Sequence, residues 1–352
     1  MNTTGGEAGR PVLVTGGVGY VGSQVVRMLL TRGTHVRVLD RFLYGDGGLA
    51  ALTPNAQLEI MRGDIRSTSD MRRAVRGVET VIALAALVGD QLCEADPAEG
   101  VAVNLKATKV LGKVASEAGV KRVILASSCS VYGSSGQAFV DETATPNPVS
   151  LYGETRLLSE ELLLKNYPEI GPVVLRLGTV FGLSPRMRFD LVVNAMTARA
   201  VTEGKIPVFN GDNWRPFVHV RDAARAFIRA ADAPGHVVHG QRFNVGANFL
   251  NCTIADLAAV VAHCVQGAVV VPQSPNGDTR SYRVRFDRVR EVLWYEPHWS
   301  LKEGIGEIVA ALSDGTIVDY RDPIYHNALY LVGTPAGGAS KAGQARGCGT
   351  QA

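Results

Sequence analysis

Residues 15–22 read TGGVGYVG and set glycines at 16, 19 and 22 directly after the β-branched run PVLVTG (11–16). A glycine at every third position between a strand and a helix meets three demands at once. These are a tight turn, an open surface of backbone amides, and close approach of the helix to the strand. The helix is written in the spacing of Val21, Val25, Met28 and Leu29, and HVRVLD (35–40) follows as a second strand. LEIMRGD (58–64), TVIALAA (80–86), KRVILASS (121–128) and PVVLRLG (172–178) continue the rhythm with little polar alternation, while 101–118 and 153–165 carry helical periodicity. The expected fold is α/β, a doubly wound parallel Rossmann-type sheet over residues 11–180.

After Phe181 the rhythm loosens into a smaller mixed α/β lobe, 181–332, from which segments can return to the main domain. Helices are expected at 190–203, 220–232 and 253–265, strands at IPVFNG (206–211) and FNVG (243–246), and a polar loop at 273–280. The stretch 333–352 has too few apolar residues to pack and is expected to be disordered.

With 36 basic and 33 acidic residues the net charge is +3, too weak a field to suggest nucleic acid or a membrane as partner. Cys93, Cys129, Cys252, Cys264 and Cys348 show neither metal-ligand spacing nor the density of a disulfide scaffold, so a reducing compartment and no metal site are expected. The glycine-rich opening does not read as a signal peptide, which makes a cytoplasmic location the expectation.

Asp40 ends the second strand, where a carboxylate can accept from both adenosine-ribose hydroxyls and repel a ribose phosphate, favouring NAD over NADP. Arg41 is the competing attraction. Asp64 follows the third strand and suits the adenine edge, although aspartate is also a good turn residue there. SSCSVYG (127–133) closes a strand at the end where ligands collect, and VSLYGETRLLSE (149–160) opens a helix with Tyr152 and Arg156 one turn apart. On spacing alone that pair is an ordinary helix surface. Beside Ser128 it becomes a hydroxyl pair that can hold a substrate oxygen and exchange its proton, with a cation favouring the phenolate.

Together these segments resemble the extended short-chain dehydrogenase/reductase family, and within it the NAD-dependent nucleotide-sugar epimerases and dehydratases, over about residues 11–330. The resemblance implies a catalytic Ser128, Tyr152 and Arg156. It implies NAD contacts from Gly16, Gly19, Tyr20, Val21, Gly22, Asp40, Arg41, Asp64, Ile65, Leu84, Ala85, Ala86, Asn104, Tyr152 and Arg156, with Asn104 as a supporting helix residue. For a nucleoside-diphosphate sugar it implies Val88, Ser128, Cys129, Ser130, Tyr152, Thr179, Asn194, Phe209, Asn210, Arg215 and Arg280, the two arginines on the diphosphate. Trp214 either stacks or covers the lobe, and Arg186 and Arg188 sit in a loop that can equally face solvent. His219 reads as a packed residue, and Cys129 also reads as a buried thiol.

Four positions depart from the family pattern. Arg156 replaces a lysine, Thr179 replaces an asparagine, and Cys129 and Ser130 stand where dehydratases carry an acid pair. The expected activity is therefore an NAD-dependent nucleotide-sugar 4-epimerase. The alternatives are an NDP-4-keto-sugar reductase, a dehydratase or decarboxylase, or a catalytically weakened scaffold that binds NAD or a sugar nucleotide. The family's usual homodimer would use the helices at 101–118 and 153–165, where Leu157, Leu158 and Leu162 form an apolar stripe.

Overall fold

The computed structural model describes residues 10–328; the stretch 333–352 lies outside them. Its centre is a seven-stranded sheet: β1 (Val12–Thr15), β2 (Val36–Asp40), β3 (Leu58–Arg62), β4 (Thr80–Ala83), β5 (Arg122–Ser128), β6 (Pro172–Leu177) and β7 (Arg242–Val245). All neighbours are parallel, in the order β7-β6-β5-β4-β1-β2-β3. Direction of build reverses between β1 and β4, and a crevice opens at the carboxyl ends of those strands. Helices Tyr20–Thr31 and Val220–Asp232 cover one face through Val25, Leu29, Ala224 and Phe227. The other face takes Thr68–Ala74, Ala107–Glu117 and Leu151–Asn166 through Met71, Leu111, Val114 and Leu163. Burial on both sides explains why the strand runs lack polar alternation.

FNVG belongs to this sheet and not to the lobe: Phe243 and Val245 are fully buried on β7, which pairs with β6 after the chain has crossed the lobe and returned. Trp214–His219 is the middle strand of a lobe sheet, parallel to Thr179–Phe181 and antiparallel to Asn251–Thr253. The strand expected at 206–211 stops at Val208, because Asn210 takes a left-handed φ of 48°. Lys205–Val208 pairs in parallel with Val269–Pro272, and Ser134–Val140 pairs with Ser281–Val284. The helices Val192–Glu203, Val220–Asp232 and Ile254–Cys264 fall inside the expected ranges, but Val220–Asp232 packs on the main sheet and not in the lobe.

Two local features position the site. Ser150 caps the helix Leu151–Asn166 by accepting from the Gly153 amide at 3.2 Å, which places Tyr152 in its first turn. Residues Ala102–Lys106 form a π-turn, which interrupts the expected helix at 101–118. Beneath the end of β5, the buried Glu160 accepts from Arg176 at 2.7 Å and from the Ser127 hydroxyl, tying β5, β6 and the Tyr152 helix together.

Candidate active site

Two cavities meet over the carboxyl ends of β1, β4, β5 and β6. The first, about 300 Å³, is lined by Gly16, Gly19, Tyr20, Val21, Gly22, Asp40, Arg41, Asp64, Ile65, Leu84, Ala85, Ala86 and Arg156. The second, about 460 Å³, reaches into the lobe past Ser130, Phe209, Asn210, Arg215 and Arg280. Val88, Ser128, Tyr152, Gly178, Thr179 and Arg188 face both.

The glycine turn fits a dinucleotide. Gly16 has a φ of 73°, and a Cβ there would stand 2.7 Å from the Ala85 amide nitrogen. At Gly22 a Cβ would fall 2.1 Å from the Gly16 carbonyl oxygen, so the helix can approach only without one. Gly19 leaves the helix start with neither a side-chain cap nor an acidic residue in its first turn, an arrangement suited to pyrophosphate. Asp40 accepts from the amides of Val18 at 3.1 Å and Phe42 at 2.8 Å, and its burial pushes the carboxyl above the usual carboxylate range. Arg41 lies 3.4 Å from Asp64 and 3.2 Å from Glu99, and Arg66 binds the same two carboxylates. Burial opposes ionisation of Asp64, but the hydrogen bonds from Arg66 outweigh it and hold the carboxyl below its usual value.

Tyr152 stands where the cavities join. Burial pushes its hydroxyl above the usual value; the charge of Arg156 favours the phenolate as expected, but does not overcome the burial. Arg156 is only 3% exposed and donates to the carbonyl of Ala126 at 3.2 Å and of Asn104 at 3.1 Å. Its Nε is buried without a partner, and no carboxylate among the described residues pairs with it. Asn104 does not line the cofactor cavity. Its side chain accepts from the Leu87 amide at 2.9 Å and donates to the Leu87 carbonyl at 3.0 Å, while the π-turn presents its own carbonyl to Arg156. Asn104 therefore braces the loop after β4 and Arg156 and faces neither cavity.

Two substrate assignments are overturned. Asn194 is fully buried, accepting from the Gly182 amide and donating to the Tyr20 hydroxyl and the Arg188 carbonyl, so it has no free atom for a phosphate or sugar. Cys129 turns into the core through the 3-10 turn Cys129–Tyr132, its Sγ 3.3 Å from the Arg176 carbonyl, and burial drives the thiol pKa far up. It lines neither cavity, whereas Ser130 lines the second. Arg186 and Arg188, open to either reading from sequence, are buried. Arg186 stacks over Tyr44 at 4.2 Å and donates to Asn327 at 2.6 Å, and Arg188 pairs with Asp190 at 2.9 Å. His219 stacks on Trp299 at 4.1 Å with Nε2 2.7 Å from Glu307, and Trp214 covers the lobe against Arg283.

Arg215 and Arg280 converge on a residue that sequence reasoning passed over. Asp278 accepts from Arg215 at 2.8 Å and from Arg280 at 2.7 and 2.8 Å. Burial opposes its ionisation, but the hydrogen bonds from Arg280 prevail and hold the carboxyl at about 2. Arg280 also pairs with Asp90. The signal for Asp278 was its place two residues before Arg280, the spacing of an aspartate turn; Asp90 and Glu99 carried none.

The profile of the NAD dependent epimerase/dehydratase family matches residues 12–246. A UDP-glucose 4-epimerase of Mycolicibacterium smegmatis is 31% identical over 311 residues, 84% of this chain and 96% of that one. A dTDP-glucose 4,6-dehydratase of Streptomyces niveus is 27% identical over 312 residues, 85% and 91% of the two chains. Among solved structures, MoeE5 in complex with UDP-glucuronic acid and NAD superposes with a TM-score of 0.76 at 28% identity, over 87% of this chain and 99% of that one. Similarity of this reach, on a doubly wound sheet with a glycine cradle at its switch point, defines an extended short-chain dehydrogenase/reductase. The chain belongs to the NAD dependent epimerase/dehydratase family and is an NAD-binding enzyme that modifies nucleotide sugars.

Calorimetric titration of cofactor-free protein is expected to show NAD binding at least about tenfold tighter than NADP, roughly 1.4 kcal/mol. Asp40 would face the extra phosphate, while Arg41, the cation nearest in sequence, is occupied by Asp64 and Glu99. Equal affinities would show that Arg41 leaves those carboxylates for the phosphate.

Proposed function

We propose that the protein is a nucleotide-sugar 4-epimerase acting through transient oxidation at C4. The observation that carries this reading is the pair of positions after Ser128: Cys129 faces the core and Ser130 is a neutral hydroxyl, so neither supplies the acid that expulsion of a 6-hydroxyl requires. Ser128 orients the 4-oxygen of the sugar and Tyr152 takes its proton. Gly16, Gly19, Gly22 and Asp40 would hold NAD, which would supply the acceptor and donor for the C4 hydride. The positive charge of Arg156 offsets part of the burial that opposes the phenolate. Arg215 and Arg280 hold the diphosphate, which takes up hydrogen bonds now given to Asp278, and Phe209 with Asn210 borders the base. Tyr152 returns the proton once the keto sugar has presented its other face.

The reading is tested with a panel of UDP- and dTDP-hexoses, followed by mass spectrometry and proton NMR. An isobaric product is expected; loss of water or carbon dioxide overturns epimerisation. Net consumption of added NADH with a gain of two hydrogens would mark a keto-sugar reductase instead. The proposal includes a homodimer, since Leu158 is exposed on the Tyr152 helix beside half-buried Leu157 and Leu162.

A further inference from the structure

Asp90 opens a short helix, Asp90–Ala95, just beyond β4 and lines the lobe-side cavity. One carboxylate oxygen pairs with Arg280, and the other is buried with no hydrogen-bond donor. A buried acceptor left without a donor costs free energy, which a partner arriving with a ligand recovers. Asp90 also lies near enough to Tyr152 for its charge to oppose ionisation of the tyrosine. Asp90 therefore shares one cavity with Arg280, the group assigned to the diphosphate, and Tyr152, the group assigned to the sugar 4-oxygen. A hexose spanning Arg280 and Tyr152 passes its ring alongside this carboxylate.

We infer that Asp90 reads the sugar ring, accepting hydrogen bonds from ring hydroxyls and selecting a neutral hexose over a hexuronate. The inference rests on the epimerase reading for the placement of the sugar between Arg280 and Tyr152. A hexuronate would bring a second carboxylate toward Asp90 in a partly desolvated cavity, where like charges repel more strongly than in water. Arg188 does not provide a free cation to offset it, because Asp190 already pairs with it at 2.9 Å. Arg280 is likewise shared between Asp90 and Asp278.

The test uses NAD-loaded protein and calorimetry with UDP, UDP-glucose and UDP-glucuronic acid, and with dTDP and dTDP-glucose. Wild type is expected to prefer UDP-glucose to UDP-glucuronic acid. In Asp90→Asn the hexose nucleotides should weaken by about tenfold relative to the matching diphosphate, the scale of one charge-assisted hydrogen bond. The preference over UDP-glucuronic acid should shrink by a similar factor, while affinity for NAD stays unchanged and reports an intact fold. Equal effects on UDP and UDP-glucose, or none on either, would overturn the inference and leave the epimerase reading standing. A wild-type preference for UDP-glucuronic acid overturns it without any variant. Failure of wild type to bind every sugar nucleotide overturns both readings together.

Discussion

Tyr152→Phe is expected to keep NAD affinity and thermal stability while losing about 10²–10⁴-fold in turnover, the range a positioned acid/base supplies. Among the described residues nothing hydrogen-bonds the Tyr152 hydroxyl, so removing it leaves no internal donor or acceptor stranded. The phenyl ring keeps the packing against Leu87, Leu92, Cys93 and Val103. Stability and catalysis therefore separate at this position. Turnover on an identified hexose nucleotide, set beside a melting curve and an NAD titration, checks the prediction. Retained turnover would remove the tyrosine from the proton transfer.

Arg156→Ala is expected to damage stability, NAD affinity and turnover together. Truncation strips the carbonyls of Ala126 and Asn104 of a charged donor, and loss of hydrogen bonds to a charged group costs roughly 1.5–3 kcal/mol each before any void is counted. The pH effect has a definite sign. The arginine lowers the Tyr152 pKa against a burial that raises it, so without the cation the pKa rises and the acid limb of the rate profile moves to higher pH. Arg156→Lys keeps the charge but gives up the planar fork that spans β5 and the π-turn. It should preserve the pH profile better than the alanine variant while losing melting temperature and NAD affinity relative to wild type. A lysine variant that outperforms wild type would show that the surroundings have not adapted to the guanidinium. If Arg156→Ala leaves NAD affinity and the pH profile unchanged, the arginine serves packing alone.

The glycine turn and the six strands from residue 11 to 178 were legible because their signals are local: β-branched runs, turn glycines and helix spacing lie within a few residues of one another. FNVG was harder, since pairing with β6 joins segments separated by the whole crossing of the lobe, and four residues carry no mark of which sheet they complete. The same distance hid the roles of Asp90 and Glu99, whose partners Arg280 and Arg41 lie far away in the chain. Resemblance placed Cys129 and Ser130 together beside the substrate. The tight turn after Ser128 sends one inward and leaves the other on the cavity wall, a division set by backbone path and invisible in composition. For Tyr152, sequence showed the neighbouring cation but not the depth of burial that opposes it.

The carboxylate of Asp278 gives the arginine pair a resident counterion. In the proposed function these two guanidinium groups hold a diphosphate, and without Asp278 they would repel each other once the nucleotide left. Here departure exchanges one anionic partner for another. With the Asp278 carboxyl held at about 2, this counterion stays charged throughout the neutral range, so the arginine pair keeps an anionic partner whether or not a ligand is bound.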